Sequence, residues 1–344
     1  MQQFNKRTLT RILSVLLGIT VFVAFISYVG LDSIIRILLS VNPLVIVALT
    51  GIELVGFVFY ATAWYVLILA TGHKLRFLTC QGITFASIFA SYTMPSGVFL
   101  EAMRCILGSK EAKMKLGEAT ATVILHRILY IIGFLGSMAL AFVALILKGT
   151  LNPNVVYEII VLPIIAIVGL IILLSISMFP RMFQPLLDRL LRSVQPIMRL
   201  VQKEASVEGK ADQFLSDYDS SFRRMLSTTS HMMASFCASI CDWGCSVVFF
   251  WIVLVALGAS VSIWVVIITM AIGKMIQMTP IAIPGMIGIF EAAVTTSLTF
   301  FGVPVAVGAS AAILTRIVTS WLDVPITGIA AYHYGFKLAG QKML

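Results

Sequence analysis

Apolar residues run through this chain in blocks long enough to cross a bilayer, and the polar positions fall between the blocks. Residues 12–29, 44–71, 119–147, 155–179, 231–257 and 305–332 are each predominantly apolar. A helix rises ~1.5 Å per residue and a hydrocarbon core is ~30 Å thick, so these six blocks predict full transmembrane helices. Two further blocks are interrupted. Residues 77–94 are apolar until Pro95-Ser96-Gly97 breaks the run, and the arm that follows, 98–107, is only ~15 Å long as a helix. It cannot cross, and Lys110, Lys113 and Lys115 behind it call for the aqueous side it came from, so the pair predicts a re-entrant hairpin. Residues 263–283 and 286–301 form a second broken pair, punctuated by Pro280, Pro284, Gly285 and Gly288. Both of its arms are long enough to cross, so a hairpin and two short spans remain alternatives. Residues 31–43 set Ile34, Ile35, Leu38 and Leu39 against Asp32 and Arg36, the pattern of a helix lying at the interface.

The scarce polar residues inside the apolar blocks recur at a fixed offset. Pro95 precedes Arg127 by 32 residues, and Pro284 precedes Arg316 by 32. Ile124-Leu125-His126-Arg127-Ile128 answers Ile313-Leu314-Thr315-Arg316-Ile317 at an offset of 189, which also carries Glu53 onto Asp242. A glutamate follows the proline in each copy, Glu101 and Glu291. We read a duplicated unit of helix, broken segment and arginine-bearing helix: repeat one over 44–147 and repeat two over 231–333, joined through a cytoplasmic amphipathic connector at 180–230. Counting crossings, repeat one begins with a helix running inward and repeat two with a helix running outward, so the repeats are inverted. The predicted fold class is an all-α polytopic membrane protein, with about six full spans plus two broken or re-entrant helical hairpins in inverted-topology repeats. Such repeats with discontinuous helices are the architecture of alternating-access carriers, whose binding site lies near the midplane at the repeat interface.

Composition agrees. The 344 residues are 60% hydrophobic and 11% charged, with mean hydropathy +1.03, which excludes a soluble domain. The net charge of +9 is no nucleic-acid signal. Arg104, Arg127, Lys274 and Arg316 lie within apolar sequence, Arg36 and Lys148 on one side of the membrane, and every other Lys and Arg on the opposite side. That asymmetry places both termini in the cytoplasm of a multi-pass plasma-membrane protein. Lys6, Arg7 and Arg11 precede 12–29, which reads as a first span rather than a cleavable signal. Within the connector, apolar residues from Met182 to Met198 recur opposite Arg189, Arg192 and Arg199; an anionic-leaflet contact and a solvated link both fit. Cys237, Cys241 and Cys245 repeat every four residues, which reads as a helix face used for packing, and no metal or cofactor is expected.

Charged groups at a helix centre cost ~2.5–3.5 kcal/mol each on insertion scales, so those kept here need partners. Arg127 and Arg316 suit a guanidinium fork on a phosphate; a buried ion pair with Glu53, Asp242 or the hairpin glutamates is the alternative, and both can hold. Gly97, Gly285 and Gly288 mark half-helix N-termini whose free N–H groups favour an anion, with Pro95, Pro280 and Pro284 as hinges. Lys274 is a further candidate for the cavity wall. Glu53, Glu101, Asp242, Glu291 and Asp323 are the gating or charge-pairing candidates, with Glu101 and Glu291 either proton carriers or structural. No paired aspartate run, Ser/His constellation or Walker loop is present, so no enzyme activity is expected.

Pro95-Ser96-Gly97 with Glu101-Ala102-Met103-Arg104, His126-Arg127, and Pro284-Gly285-Met286-Ile287-Gly288-Ile289-Phe290-Glu291 with Gly302-Val303-Pro304 and Arg316 resemble one known family. It is the transmembrane family of the lysylphosphatidylglycerol synthase/flippase, which includes the flippase half of the multiple peptide resistance factor and archaeal proteins linked to dolichol-phosphate sugar transfer. Two positions depart from it: Phe99-Leu100 stand where Gly-Gly often precedes the first glutamate, and Phe290 where Arg often precedes the second. The resemblance implies movement of an anionic phospholipid or polyprenyl-phosphate-linked lipid between leaflets, without aminoacyl transfer. The expected partners are that lipid and the membrane. Two alternatives stand beside it: a non-transporting subunit presenting a lipid-linked substrate to a glycosyltransferase, and a small-anion carrier.

Overall fold

The computed structural model describes residues 35–36, 39–93, 98–149, 153–178, 210–278 and 286–340. The expected span 12–29, the stretch 182–198, and Pro95, Gly97, Pro280, Pro284 and Gly285 lie outside them. Among the described residues the chain is all helix, as the hydropathy pattern predicts. In order these are α1 (Pro43–Ala70), α2 (Phe77–Thr93), α3 (Val98–Glu111), α4 (Leu116–Leu147), α5 (Pro153–Met178), α6 (Lys210–Ser227), α7 (Thr229–Ala256), α8 (Ile263–Met278), α9 (Ile289–Phe300), α10 (Val305–Arg316) and α11 (Asp323–Gly340). Four are long and apolar enough to cross a membrane: α1, α4, α7 and the composite Val305–His333.

Local chemistry sets the ends. Asn42 caps α1, its Oδ1 accepting from Leu44 N–H at 2.9 Å, and Pro43 fills the first turn, where a missing N–H costs nothing. Glu118 reaches back to the Lys115 N–H at 2.8 Å to start α4. Gly288, at φ +85°, delays α9 until Ile289. The resulting 12-residue α9 is ~18 Å long, shorter than the 286–301 arm suggests and too short to cross. A second departure from the pattern lies in the last span. The block 305–332 predicts one regular helix, but Ile317–Leu322 is a π-helical turn set between α10 and α11. Nothing in apolar periodicity distinguishes that turn, because Thr319 and Ser320 are as compatible with a regular helix as with a widened one.

Packing follows the duplication element by element. α1 packs along its counterpart α7, α2 and α3 form one hairpin, and α8 and α9 form the other. Each hairpin also meets the long helix of its own unit, α3 on α4 and α9 on α10. The exchange between units is reciprocal: α4 packs on α8, and α11 packs on α2. At the α1–α7 seam Gly56 allows the close approach, since a Cβ there would stand 3.2 Å from Asp242 Oδ1 and 3.5 Å from Cys245 Cβ. The buried face of α7 is Ser235, Ala238, Ser239, Asp242, Trp243 and Ser246. Cys237 and Cys241 are exposed, and of the cysteine stripe Cys245 packs, against Gly56 of α1. In the connector, α6 lays Tyr218, Phe222 and Met225 against Leu67, Ala121 and Leu125, while Lys115 Nζ donates to Asp217 Oδ1 at 2.7 Å. The apolar face of α6 thus covers protein.

Candidate functional site

Between the two units lies a cavity of about 180 Å3 whose polar wall is built from Glu53 (α1), Arg127 (α4), Asp242 (α7), Lys274 (α8) and Arg316 (α10). Five helices each contribute one charged side chain, so the residues that sequence offset singled out converge in space. Tyr60, Tyr92 and Tyr130 complete the lining, together with Leu100 and Met286 from the ends of the two hairpins.

Each arginine is held by the glutamate of its own hairpin. Glu101, in the first turn of α3, accepts from Arg127 Nη1 at 3.1 Å through Oε1 and from Arg104 Nη1 at 3.1 Å through Oε2. Glu291, in the first turn of α9, accepts from Arg316 Nε at 2.9 Å through Oε1 and from the Gly288 N–H at 2.6 Å through Oε2. Met286, at φ +53°, turns its carbonyl to accept from Arg316 Nη2 at 3.2 Å. The first-turn N–H that the sequence offers to an anion is therefore occupied by the chain's own carboxylate. Both glutamates are tied into these pairs, as the structural alternative for them requires. The pairs differ in access: the Arg127 side chain is 29% exposed and that of Arg316 11%. Phe290 lies beneath Arg316, with Cζ 4.5 Å from the ring centroid, so the aromatic face backs the cation where an arginine often stands in the family motif.

Glu53 and Asp242 do not pair with the arginines. They share the cavity with Lys274, whose charge acts on both, yet among the described residues the three make no direct ion pair. Asp323 is not joined to Arg316 either. It is fully buried beyond the π turn, and among the described residues neither of its carboxylate oxygens has a hydrogen-bond partner.

Arg104 and its surroundings were not legible from spacing. It is fully buried, with Cζ 4.5 Å from the Trp64 ring and 4.9 Å from the Tyr60 ring. Nη1 also donates to the Tyr60 hydroxyl at 3.0 Å and Nη2 to His126 Nδ1 at 3.0 Å. A guanidinium has no acceptor, so His126 accepts through Nδ1 and carries its proton on Nε2, as a neutral ring. The available signal was an arginine one turn after Glu101, together with tyrosines and a tryptophan in a span that needed neither.

The residues carrying this arrangement all fall within 11–326, the stretch matched by the family profile of the lysylphosphatidylglycerol synthase TM region. The chain belongs to that family. Two archaeal relatives carry the description UPF0104 membrane protein. The one from Methanothermobacter thermautotrophicus is 21% identical over 244 residues, 71% of this chain and 71% of the relative. The one from Pyrococcus horikoshii is 22% identical over 325 residues, 92% of this chain and 95% of the relative. This lysylphosphatidylglycerol synthase TM-region protein is thus a multi-pass helical membrane protein with a charged cavity among α1, α4, α7, α8 and α10.

Proposed function

We propose that this family member moves an anionic phospholipid or polyprenyl-phosphate-linked lipid between leaflets, without enzymatic chemistry, in the plasma membrane and with both termini cytoplasmic. Repeats 44–147 and 231–333, inverted and joined by the connector 180–230, alternate access to the cavity between them. The observation that carries this reading is the pairing of Arg127 and Arg316 with hairpin glutamates beside a cavity that both arginines line. Glu101 and Glu291 keep each guanidinium compensated in a low-dielectric interior until a phosphate takes their place. A headgroup phosphate offers the same acceptor geometry and can exchange with a carboxylate without leaving the cation bare. Lys274 adds a cation with no ion-pair partner of its own among the described residues. The acyl or prenyl chains remain in lipid while the headgroup crosses.

The test is translocation in proteoliposomes, using the purified protein and fluorescent phosphatidylglycerol or polyprenyl phosphate. Arg127→Ala and Arg316→Ala are compared with wild type after a check that each elutes as the folded protein. Transport in wild type and its loss in both variants is the expected result. Normal transport by a folded Arg316→Ala variant overturns the proposal. Transport of no lipid, with co-purification of a glycosyltransferase, favours the substrate-presenting subunit instead.

A further inference from the structure

Among the described residues, three acids of the core make no direct ion pair: Glu53, Asp242 and Asp323. Glu101 is bonded to two guanidinium groups and Glu291 to one, and Glu53 and Asp242 share the cavity with Lys274. Asp323 has none of this: its exposure is 0% and, among the described residues, neither carboxylate oxygen has a hydrogen-bond partner. The elements around it are α2, which packs on α11, and α1, which packs on the π turn. The titratable groups they bring to it are Tyr92 from α2 and Glu53 from α1, with Arg316 one π turn earlier on its own helix. Asp242 and Lys274 line the same cavity as Glu53. No cation lies within ion-pair distance of Asp323 among the described residues.

We propose that Asp323 is a proton-binding site linked to the cavity, so that an anionic headgroup binds with uptake of a proton on this carboxyl. The proposal rests on the lipid-transport reading above and deepens it by naming the coupling ion. Charge balance gives the reason. Among the described residues the core sets Arg104, Arg127, Lys274 and Arg316 against Glu53, Glu101, Asp242, Glu291 and Asp323, one more acid than base. With every group ionised the interior is net negative and repels a phosphate. With a proton on Asp323 it is neutral, and the buried acid then needs no counter-ion. The reaction is the simplest proton transfer: carboxylate plus proton from water gives the neutral acid, which is the form that an unpartnered, fully buried site can hold.

Asp323 lines neither the cavity nor the smaller chamber beside it, so proton exchange requires the π turn to move. A second chamber of about 40 Å3 adjoins the cavity, lined by Glu53, Tyr92, Lys274, Gln277, Thr315 and Thr319. It is roomy enough for water and polar enough to hold it, and Thr315 Oγ1 is a buried hydroxyl without a partner. Thr319 belongs to the π turn, four residues before Asp323. A π turn carries one residue more than an α turn of equal rise, so its conversion to α rotates the segment beyond it. That motion would bring the Asp323 carboxyl toward the chamber for proton exchange and return it to the dry position afterwards.

The test uses dihexanoyl-phosphatidylglycerol, whose phosphodiester keeps one charge across the working pH range, titrated onto full-length protein in detergent and read by tryptophan fluorescence. Wild type is expected to bind about tenfold more tightly for each pH unit lowered within the linked range. Asp323→Asn is expected to bind at high pH as wild type does at low pH, with no pH dependence, and Asp323→Glu to keep the dependence. Infrared spectra of wild type should show a protonated carboxyl band that Asp323→Asn removes, a reading independent of transport. A pH dependence unchanged in Asp323→Asn overturns the assignment. Binding independent of pH in wild type overturns the coupling and leaves lipid binding standing. No binding at any pH overturns the lipid reading and the coupling with it, even if the band is present.

Discussion

Replacing Glu291 by alanine removes two contacts at once. Its carboxylate accepts from Arg316 Nε at 2.9 Å and from the Gly288 N–H at 2.6 Å, and the side chain is only 2% exposed. In the variant, Arg316 keeps the Met286 carbonyl and the Phe290 ring but loses its counter-charge. Removing one partner of a buried pair costs about 3–5 kcal/mol because the remaining charge is stranded. Losing a carboxylate cap at a helix start adds about 1 kcal/mol. The expected loss is therefore about 4–6 kcal/mol. Asp219→Ala is the control. It breaks the pair with Arg223, also at 2.9 Å but 67% and 30% exposed, and should change stability by less than about 0.5 kcal/mol. Removing Arg316 as well takes away the stranded charge, so the double variant should cost less than the two single variants together, by about 2 kcal/mol or more. Equilibrium unfolding in mixed micelles, with the SDS fraction raised stepwise and tryptophan fluorescence followed, measures all four. A Glu291→Ala variant no less stable than Asp219→Ala, or a coupling below about 0.5 kcal/mol, would refute the reasoning.

Two further predictions concern other joints of the structure. Gly273 sits where a Cβ would meet Phe290 Cε2 at 2.9 Å, so Gly273→Val should displace the ring beneath Arg316 and destabilise by about 1–3 kcal/mol, with partial rescue by Phe290→Leu in the same unfolding assay. Burial of Tyr218 in the α6 docking face pushes its hydroxyl up to about 12. The folded value is raised above the unfolded one near 10, so its contribution is fully present below about pH 10 and is lost as pH rises toward 12. Proteolysis of the connector should therefore increase over that alkaline window, and Tyr218→Phe should lessen the change.

Much of the site was legible because charge is scarce in apolar sequence. An arginine recurring at an offset of 189 and a glutamate at 190 stand out in a 60% hydrophobic chain where each unpaired charge carries an insertion penalty, and Glu101–Arg127 and Glu291–Arg316 are pairs in space. Glu53 and Asp242 were legible as equivalents, though not as neighbours of Lys274, because Lys274 has no counterpart in the first unit, where Phe85 stands and packs on Phe57. The cysteine stripe misled at Cys237 and Cys241 because spacing tells which residues share a face and not which way that face turns.

The sequence by itself determined the helical membrane fold, the duplication and the identity of the charged residues at its centre. These follow from local rules: hydrocarbon thickness sets span length, backbone satisfaction demands helices, and the cost of bare charge limits where ionisable groups persist. Only the tertiary structure decided which charge meets which, since partners 25 or 26 residues apart in sequence are chosen by how hairpin and long helix pack. It also decided that Arg104 lies between two aromatic rings, that a π turn follows Arg316, and that Asp323 is left alone. A periodicity records the face of one helix, whereas a partner, or the lack of one, is a property of several helices at once.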